Sequence, residues 1–330
     1  YNRDKEKLPQ INMGMYYGEE SGLPLYYRIY PGSISDKTHL KYMVADNEFI
    51  NGKRTRFVMD RGFYSRENLQ YLTESGYRFV IALPDSLKYC RELVSEHGAE
   101  IVNHSEFLLG PGLPYGKSYE SMALGFRMKI HLYYDPEKAL RETSALYALL
   151  NAQENDLKSM EEPPDKSLHY DKYFYINRSK DGKLGYIRNF KAIDEALKYC
   201  GFFLIAETDF KKTTAEILDI YRCRDTIEKS FDDLKNGLDM KRLHIHTSET
   251  AQGKVFISFL SLIVRAYLLR QLKDYMRQNG LTLKKILLEL DKIKTIQYPG
   301  SDEERLLNPL TKRQREIYEL LEIPVPGCIG

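Results

Sequence analysis

An α/β fold is the class this sequence predicts, on three observations. Two short strands enclose a Gly/Glu/Ser-rich turn within residues 8–30. Short strands then alternate with helices from "RTRFVMD" to "YRFVIALP". A further apolar strand, "GFFLIAETD", leads into a tail that reads as helical. Strands alternating with helices imply a sheet under helical cover.

The elements follow in order. "LPQINMGMYYGEESGLPLYYRIY" reads as two strands turning at Gly18–Gly22. In "PGSISDKTHLKYMVADNEF", Ser35 is the expected N-cap of a helix through about Asp46. "RTRFVMD" is a short strand ending in the carboxylate of Asp60. "SRENLQYLTESG" is a helix between a Ser65 cap and a Gly76 stop, and "YRFVIALP" is an apolar strand of the buried kind. Beyond Pro84 the pattern changes. Helical segments, the loop "GPGLPYG", the strand "FRMKIHLYY" and a long charged helix from Pro136 precede "EEPPDKS". "KYFYINRSKDGKLGYIRNF" then reads as a hairpin with Asp181-Gly182 at its turn. Residues 85–199 are therefore expected to form a subdomain inserted into the first fold. "GFFLIAETD" returns as a strand and a helix follows over about 212–238. Ser248 is expected to cap a long helix through about Arg277, with further helices at 281–292 and "PLTKRQREIYELL". Three segments result: 1–84, 85–199 and 200–330.

Composition narrows the class. The chain has 330 residues, 42% hydrophobic and 29% charged, which is the balance of a globular protein rather than a disordered one. A net charge of +2 gives no argument for nucleic acid by itself. The four cysteines, Cys90, Cys200, Cys223 and Cys328, form no CxxC pair and read as reduced structural thiols. The apolar run "VFISFLSLIV" stops at Arg265, too short for a bilayer, and is expected to be a buried core helix. No signal peptide is visible. The chain opens at Tyr1 rather than Met and reads as a piece of a longer protein.

The chemistry concentrates in "YRCRDTIEKSFDDLK", Tyr221 to Lys235. On one continuous helix, at roughly 100° per residue, Tyr221, Arg224, Glu228 and Lys235 would fall within an arc of about 60°. Ile220, Cys223, Ile227, Phe231, Leu234 and Leu238 would form the adjacent apolar stripe. A plain reading makes Glu228 and Arg224 a surface pair at i,i+4 spacing. A sharper reading is a phosphodiester site. Arg and Lys hold phosphate oxygens, Tyr donates a hydrogen bond, and Glu is a hard oxygen ligand for Mg2+. Asp60, at the end of an apolar strand, supports it, because open α/β sheets place ligands beyond the carboxyl ends of their strands.

The spacing Y-x2-R-x3-E-x6-K resembles the signature of the bacterial insertion-sequence DDE transposases. "VMDRGFYS" resembles the segment around their second catalytic Asp, and "GLPLYYRIYPGSISDKTHL" and "LTKRQREIYELL" are similar to theirs as well. The resemblance covers nearly the whole chain. It implies a ribonuclease-H-like fold with a large insertion, matched in position by 85–199, ahead of the helix that bears the catalytic Glu. It also implies Mg2+ or Mn2+ as cofactor, two ions in a complete site, with Asp60 and Glu228 as catalytic metal ligands. Tyr221, Arg224 and Lys235 would contact DNA. The partners would be transposon ends and target DNA, within a homodimer, in the bacterial cytoplasm and away from membranes. The family's first catalytic Asp lies on a strand upstream of the pair at 8–30. Asp4 and Asp36 match that position poorly, so an incomplete triad and little activity of this chain alone are expected.

Other features carry less. His244 and His246 in "LHIHT" have no Cys or acid at ligand spacing. "NGKRTR" at 51–56 reads as solvated surface, and "GPGLPYG" lacks a Walker Lys. The rival functions are a ribonuclease-H-like nuclease that cuts without joining, and a non-catalytic DNA-binding descendant of a transposase.

Overall fold

The computed structural model describes residues 11–18, 21–32, 34, 36–49, 55–160, 162, 164, 169–178, 184–237, 247–297, 299–300, 304–306 and 308–325. Asp4, the Ser35 cap, residues 51–54, the Asp181-Gly182 turn, Leu238, His244, His246 and Cys328 lie outside them. The chain divides into two compact units, one running from Pro31 to Arg224 and the other combining Ile11–Tyr30 with the chain from Asp225 onward.

Among the described residues the second unit comes first, with a two-stranded sheet of β1 (Ile11–Tyr17) and β2 (Pro24–Pro31). The first unit continues with α1 (Asp36–Phe49), β3 (Arg56–Met59), α2 (Arg66–Glu74), β4 (Arg78–Ala82) and α3 (Lys88–Asn103). Next come β5 (Tyr115–Ser121), β6 (Met128–Tyr134), α4 (Pro136–Ser159), β7 (Phe174–Arg178), β8 (Leu184–Arg188) and α5 (Phe190–Lys198). It closes with β9 (Phe202–Glu207) and α6 (Thr214–Arg222). Among the described residues, five strands form one sheet in the order β3-β4-β9-β6-β5. β3 and β4 run parallel, and the other pairings are antiparallel. This mixed sheet with helical cover is the ribonuclease-H-like α/β class that the sequence implied.

Local chemistry explains the elements around the sheet end. Ser65 accepts the N–H of Asn68 and starts α2, and Gly76 ends it at φ +76°, a conformation glycine adopts without steric cost. Phe79, Val80 and Ile81 of β4 are fully buried, as a strand covered on both faces requires. One face packs α6 through Ile217, Leu218 and Ile220 against Val80, Tyr133 and Ile205. On β9, Phe202 alternates with Phe203 and Ile205 and so belongs to the opposite face, where α3 makes its close approach at Gly98.

The segment 85–199 divides between two cores. β5 and β6 join the main sheet, whereas α4, β7–β8 and α5 enclose a cluster of their own built on Leu150, Leu157, Tyr173, Phe174 and Ile193. The strand β5 escaped the sequence reading because "YGKSYES" lacks apolar alternation and lies at a sheet edge.

The helix expected over 212–238 is not continuous. α6 ends at Arg222, α7 (Arg224–Asp232) begins after Cys223, and Asp233–Gly237 widens into a π turn. The physical reason is that its halves serve different cores. Ile220 packs with the sheet, while Phe231 and Leu234 pack with Met15, Phe259 and Leu262. Cys223, placed on the apolar stripe by the wheel, is exposed at the break.

The second unit is otherwise helical, with α8 (Ser248–Gln271), α9 (Lys273–Asn279), α10 (Leu283–Leu290) and α11 (Lys312–Leu320). A short hairpin of β10 (Thr295–Gln297) and β11 (Glu304–Leu306) interrupts it, which the sequence reading missed. Thr247, not Ser248, caps α8, and the helix stops at Leu272, which turns into a cluster with Leu283, Ile286 and Ile317. α8 is also not a fully buried core helix. Val255, Phe259 and Leu262 are sealed, while Phe256, Ile257, Leu260, Val264 and Tyr267 are exposed. By length and composition alone it would pass for a membrane span. Its sealed face packs with the β1–β2 residues Met13, Met15, Tyr17 and Tyr27.

Candidate active site

The site begins with strand alternation. Val58 of β3 packs against the cluster that holds α6, so Asp60, two residues on, projects to the same face. Asp60 ends the strand and caps the 3-10 turn Arg61–Phe63, its Oδ1 accepting the Gly62 N–H at 2.5 Å. Its Oδ2 lies 3.4 Å from Nη1 of Arg224, and the carboxylate side chain is 44% exposed.

Arg224 is held from behind. Its guanidinium lies over the ring of Tyr221 at 5.0 Å, and that ring packs against the α6–sheet cluster. An aromatic face beneath a guanidinium adds cation–π attraction and fixes its plane. The Arg224 side chain is only 22% exposed. Asp60, Arg224 and Tyr221 thus form one constellation, drawn from a strand end and a helix junction far apart in sequence. Glu228 follows one turn later on α7 and is exposed; Lys235 is exposed within the π turn. The single helical row inferred from spacing is therefore distributed over three backbone segments.

A polar network invisible to local pattern sits on the same sheet face. His131 and Glu207 are fully buried, with Nε2 and Oε1 3.7 Å apart. His131 Nδ1 lies 3.2 Å from Thr214 Oγ1, and Glu207 accepts the N–H groups of Asp209 and Phe210. Burial alone would raise the Glu207 carboxyl, but the neighbouring His131 imidazole and the N–H groups of Phe210 and Asp209 outweigh it and hold its pKa below the ordinary range. Arg56 and Arg78 pair with Asp209, and Lys129 Nζ donates to the Phe210 carbonyl. Sealed from solvent, His131 and Glu207 touch no substrate. They fix the loop that launches α6, and through it Tyr221 and Arg224. The signal lay in the strands themselves: an imidazole inside "MKIHLYY" and a carboxylate closing "FFLIAE" are costly to bury unpaired.

Over residues 1–264 the chain matches the family described as transposase DDE domain, a span that holds Asp60, Tyr221, Arg224, Glu228 and Lys235. The chain belongs to this family. No curated protein matches it. Its function is accordingly of the transposase type, DNA transposition with DNA as partner. DDE transposases generally use divalent metal ions.

The donor chemistry of this transposase fits such an ion at Asp60: a half-exposed carboxylate at a strand end offers the hard oxygen that Mg2+ prefers. Among the described residues no group of three His, Cys, Asp or Glu side chains comes close enough to enclose a metal. Cys90 is buried with its thiol pushed up to about 12 by desolvation, which makes it a packing residue rather than a ligand.

Proposed function

We propose that this transposase hydrolyses phosphodiester bonds at transposon ends with Mg2+ or Mn2+ and joins the freed 3′-hydroxyl to target DNA. The observation that carries the reading is the juxtaposition of Asp60 and Arg224, 3.4 Å apart, which unites the "VMDRGFYS" segment with the first part of the Tyr-Arg-Glu-Lys signature. Asp60 and Glu228 are the proposed metal ligands. Two divalent ions held by these carboxylates would supply stabilisation of charge on the attacking and leaving oxygens of an in-line displacement.

The remaining work falls to the chain's own groups. Arg224 presents a planar fork to phosphate oxygens, preset by the ring of Tyr221. Tyr221 donates its hydroxyl to the same phosphate region, and Lys235 holds a backbone phosphate further along. The division 1–84, 85–199 and 200–330 is proposed as core, insertion and core. A third carboxylate is assigned to no residue here, so this chain alone is expected to cleave weakly. The working form is proposed to be a homodimer that brings two ends together in the bacterial cytoplasm.

A mini-transposon assay with the full protein tests the reading. Strand-transfer products that vanish in Asp60→Asn and in Glu228→Gln support it. Cleavage without joining identifies a nuclease, and end binding without cleavage a non-catalytic descendant.

A further inference from the structure

Both oxygens of Asp60 already have partners within the chain. Oδ1 takes the Gly62 N–H, and Oδ2 faces Arg224 Nη1 at 3.4 Å. The arrangement is asymmetric in its exposure. The Asp60 side chain is 44% exposed and open to an arriving cation, while the Arg224 side chain is 22% exposed and its guanidinium is backed by an aromatic ring. A guanidinium cannot lose its proton in a protein, so its positive charge is permanent. Largely withdrawn from water, it requires compensating negative charge nearby, and Asp60 provides some of it.

We propose that Arg224 is a built-in competitor for the carboxylate of Asp60, keeping divalent cations off it until an anion draws the guanidinium away. A cation entering at Asp60 must displace or sit beside a fixed positive charge a few ångströms off, and both cost affinity. A DNA phosphate offers Arg224 a bidentate alternative and thereby frees Oδ2. Metal and phosphate then favour each other, because whatever shifts Arg224 toward phosphate raises the affinity of Asp60 for the cation, and the reverse holds by linkage. The device rests on the reading of Asp60 as a metal ligand, and the test separates the two.

Mn2+ binding to the chain is followed by the loss of free-ion electron paramagnetic resonance signal, without DNA and without turnover. The variants are Arg224→Gln, which keeps size and loses charge, Arg224→Lys, which keeps charge, and Asp60→Asn. Circular dichroism confirms that each is folded. The expected result is about tenfold tighter Mn2+ binding in Arg224→Gln than in the wild type. Arg224→Lys should stay near the wild type, and Asp60→Asn introduced together with Arg224→Gln should remove the site that Arg224→Gln reveals. Equal or weaker binding in Arg224→Gln, with loss in Asp60→Asn, overturns the competitor and leaves the ligand assignment standing. Binding that is indifferent to Asp60→Asn overturns the ligand assignment itself. Absence of Mn2+ binding in every variant also overturns the competitor, since removing the charge should then have exposed a site.

Discussion

Glu207 Oε1 lies 3.7 Å from His131 Nε2 with both side chains sealed from solvent, on the sheet face that carries α6. A buried pair of this kind is weak as a source of stability yet expensive to break from one side, because the survivor is left buried without its partner. Replacing His131 with Ala should cost about 3 kcal/mol in urea unfolding. A loss under about 1 kcal/mol would show that Glu207 is satisfied by backbone N–H groups alone.

Acid should act on the same place. Glu207 has its folded pKa held below the ordinary value of 4.5. Its contribution to stability is then complete above about pH 4.5 and lost as pH falls through the lower folded value. Glu207→Gln should therefore flatten the acid limb of a stability–pH curve and leave the neutral region parallel to the wild type. An unchanged acid limb would contradict the assignment.

A second acid sensor lies at the start of α6. Glu216 closes a capping box with Thr213, and with Lys212 beside it its pKa is lowered to about 2, the Thr213 backbone bond being the main cause. Stability linked to this box is present above the ordinary 4.5 and lost between there and about 2. Thr213→Ala should cost about 1 kcal/mol at neutral pH. Hydrogen exchange should show the loss first in the opening turn of α6.

Two glycines should respond differently to alanine. Gly76 has φ +76° with open space where a Cβ would stand, so Gly76→Ala should cost only the conformational penalty, about 1 kcal/mol. Gly201 has φ +86°, and a Cβ there would meet Ala139 Cβ at 2.6 Å, Tyr134 Cε2 at 2.8 Å and the Asp135 carbonyl at 3.0 Å. Gly201→Ala should cost about 3 kcal/mol or fail to fold. Equal melting points for the two variants would refute the distinction.

For activity, the signature should divide its labour. In a preparation that cleaves transposon ends, Glu228→Gln should abolish end cleavage while leaving end binding largely intact. Lys235→Ala should weaken binding and reduce the salt slope of the affinity by about one unit. Arg224→Ala should impair both. If Glu228→Gln cleaves like the wild type, Glu228 is a surface residue and the metal-ligand role falls.

Much of this was legible in the sequence, for definable reasons. α2 and β4 were bounded correctly because Ser65, Gly76 and an apolar run mark their ends, and Asp60 was placed at the close of β3 by the same logic. The spacing of Tyr221, Arg224 and Glu228 drew attention to a stretch that lies within the span matched by the family. What could not be read was anything set by contacts distant in sequence. The wheel assumes an unbroken helix, so it put Cys223 on a buried stripe that the break at this residue abolishes. It also gave no hint that Arg224 meets Asp60, a contact set by the packing of α6 on the sheet. Nor does any local pattern pair an imidazole on β6 with a carboxylate on β9; only the strand register brings His131 beside Glu207.

β3 stands last in its sheet, hydrogen-bonded among the described residues to β4 alone and only four residues long. Asp60 is thus delivered just past the tip of a short strand whose last residues, Val58 and Met59, lie beside Val80 and Ile81 of β4. At that tip its carboxylate is braced by the Gly62 amide and by the Arg224 guanidinium. When Arg224 swings to another anion the brace weakens, and the carboxylate gains travel at the moment its coordination must change. Part of the firmness of this carboxylate is therefore lent by a side chain.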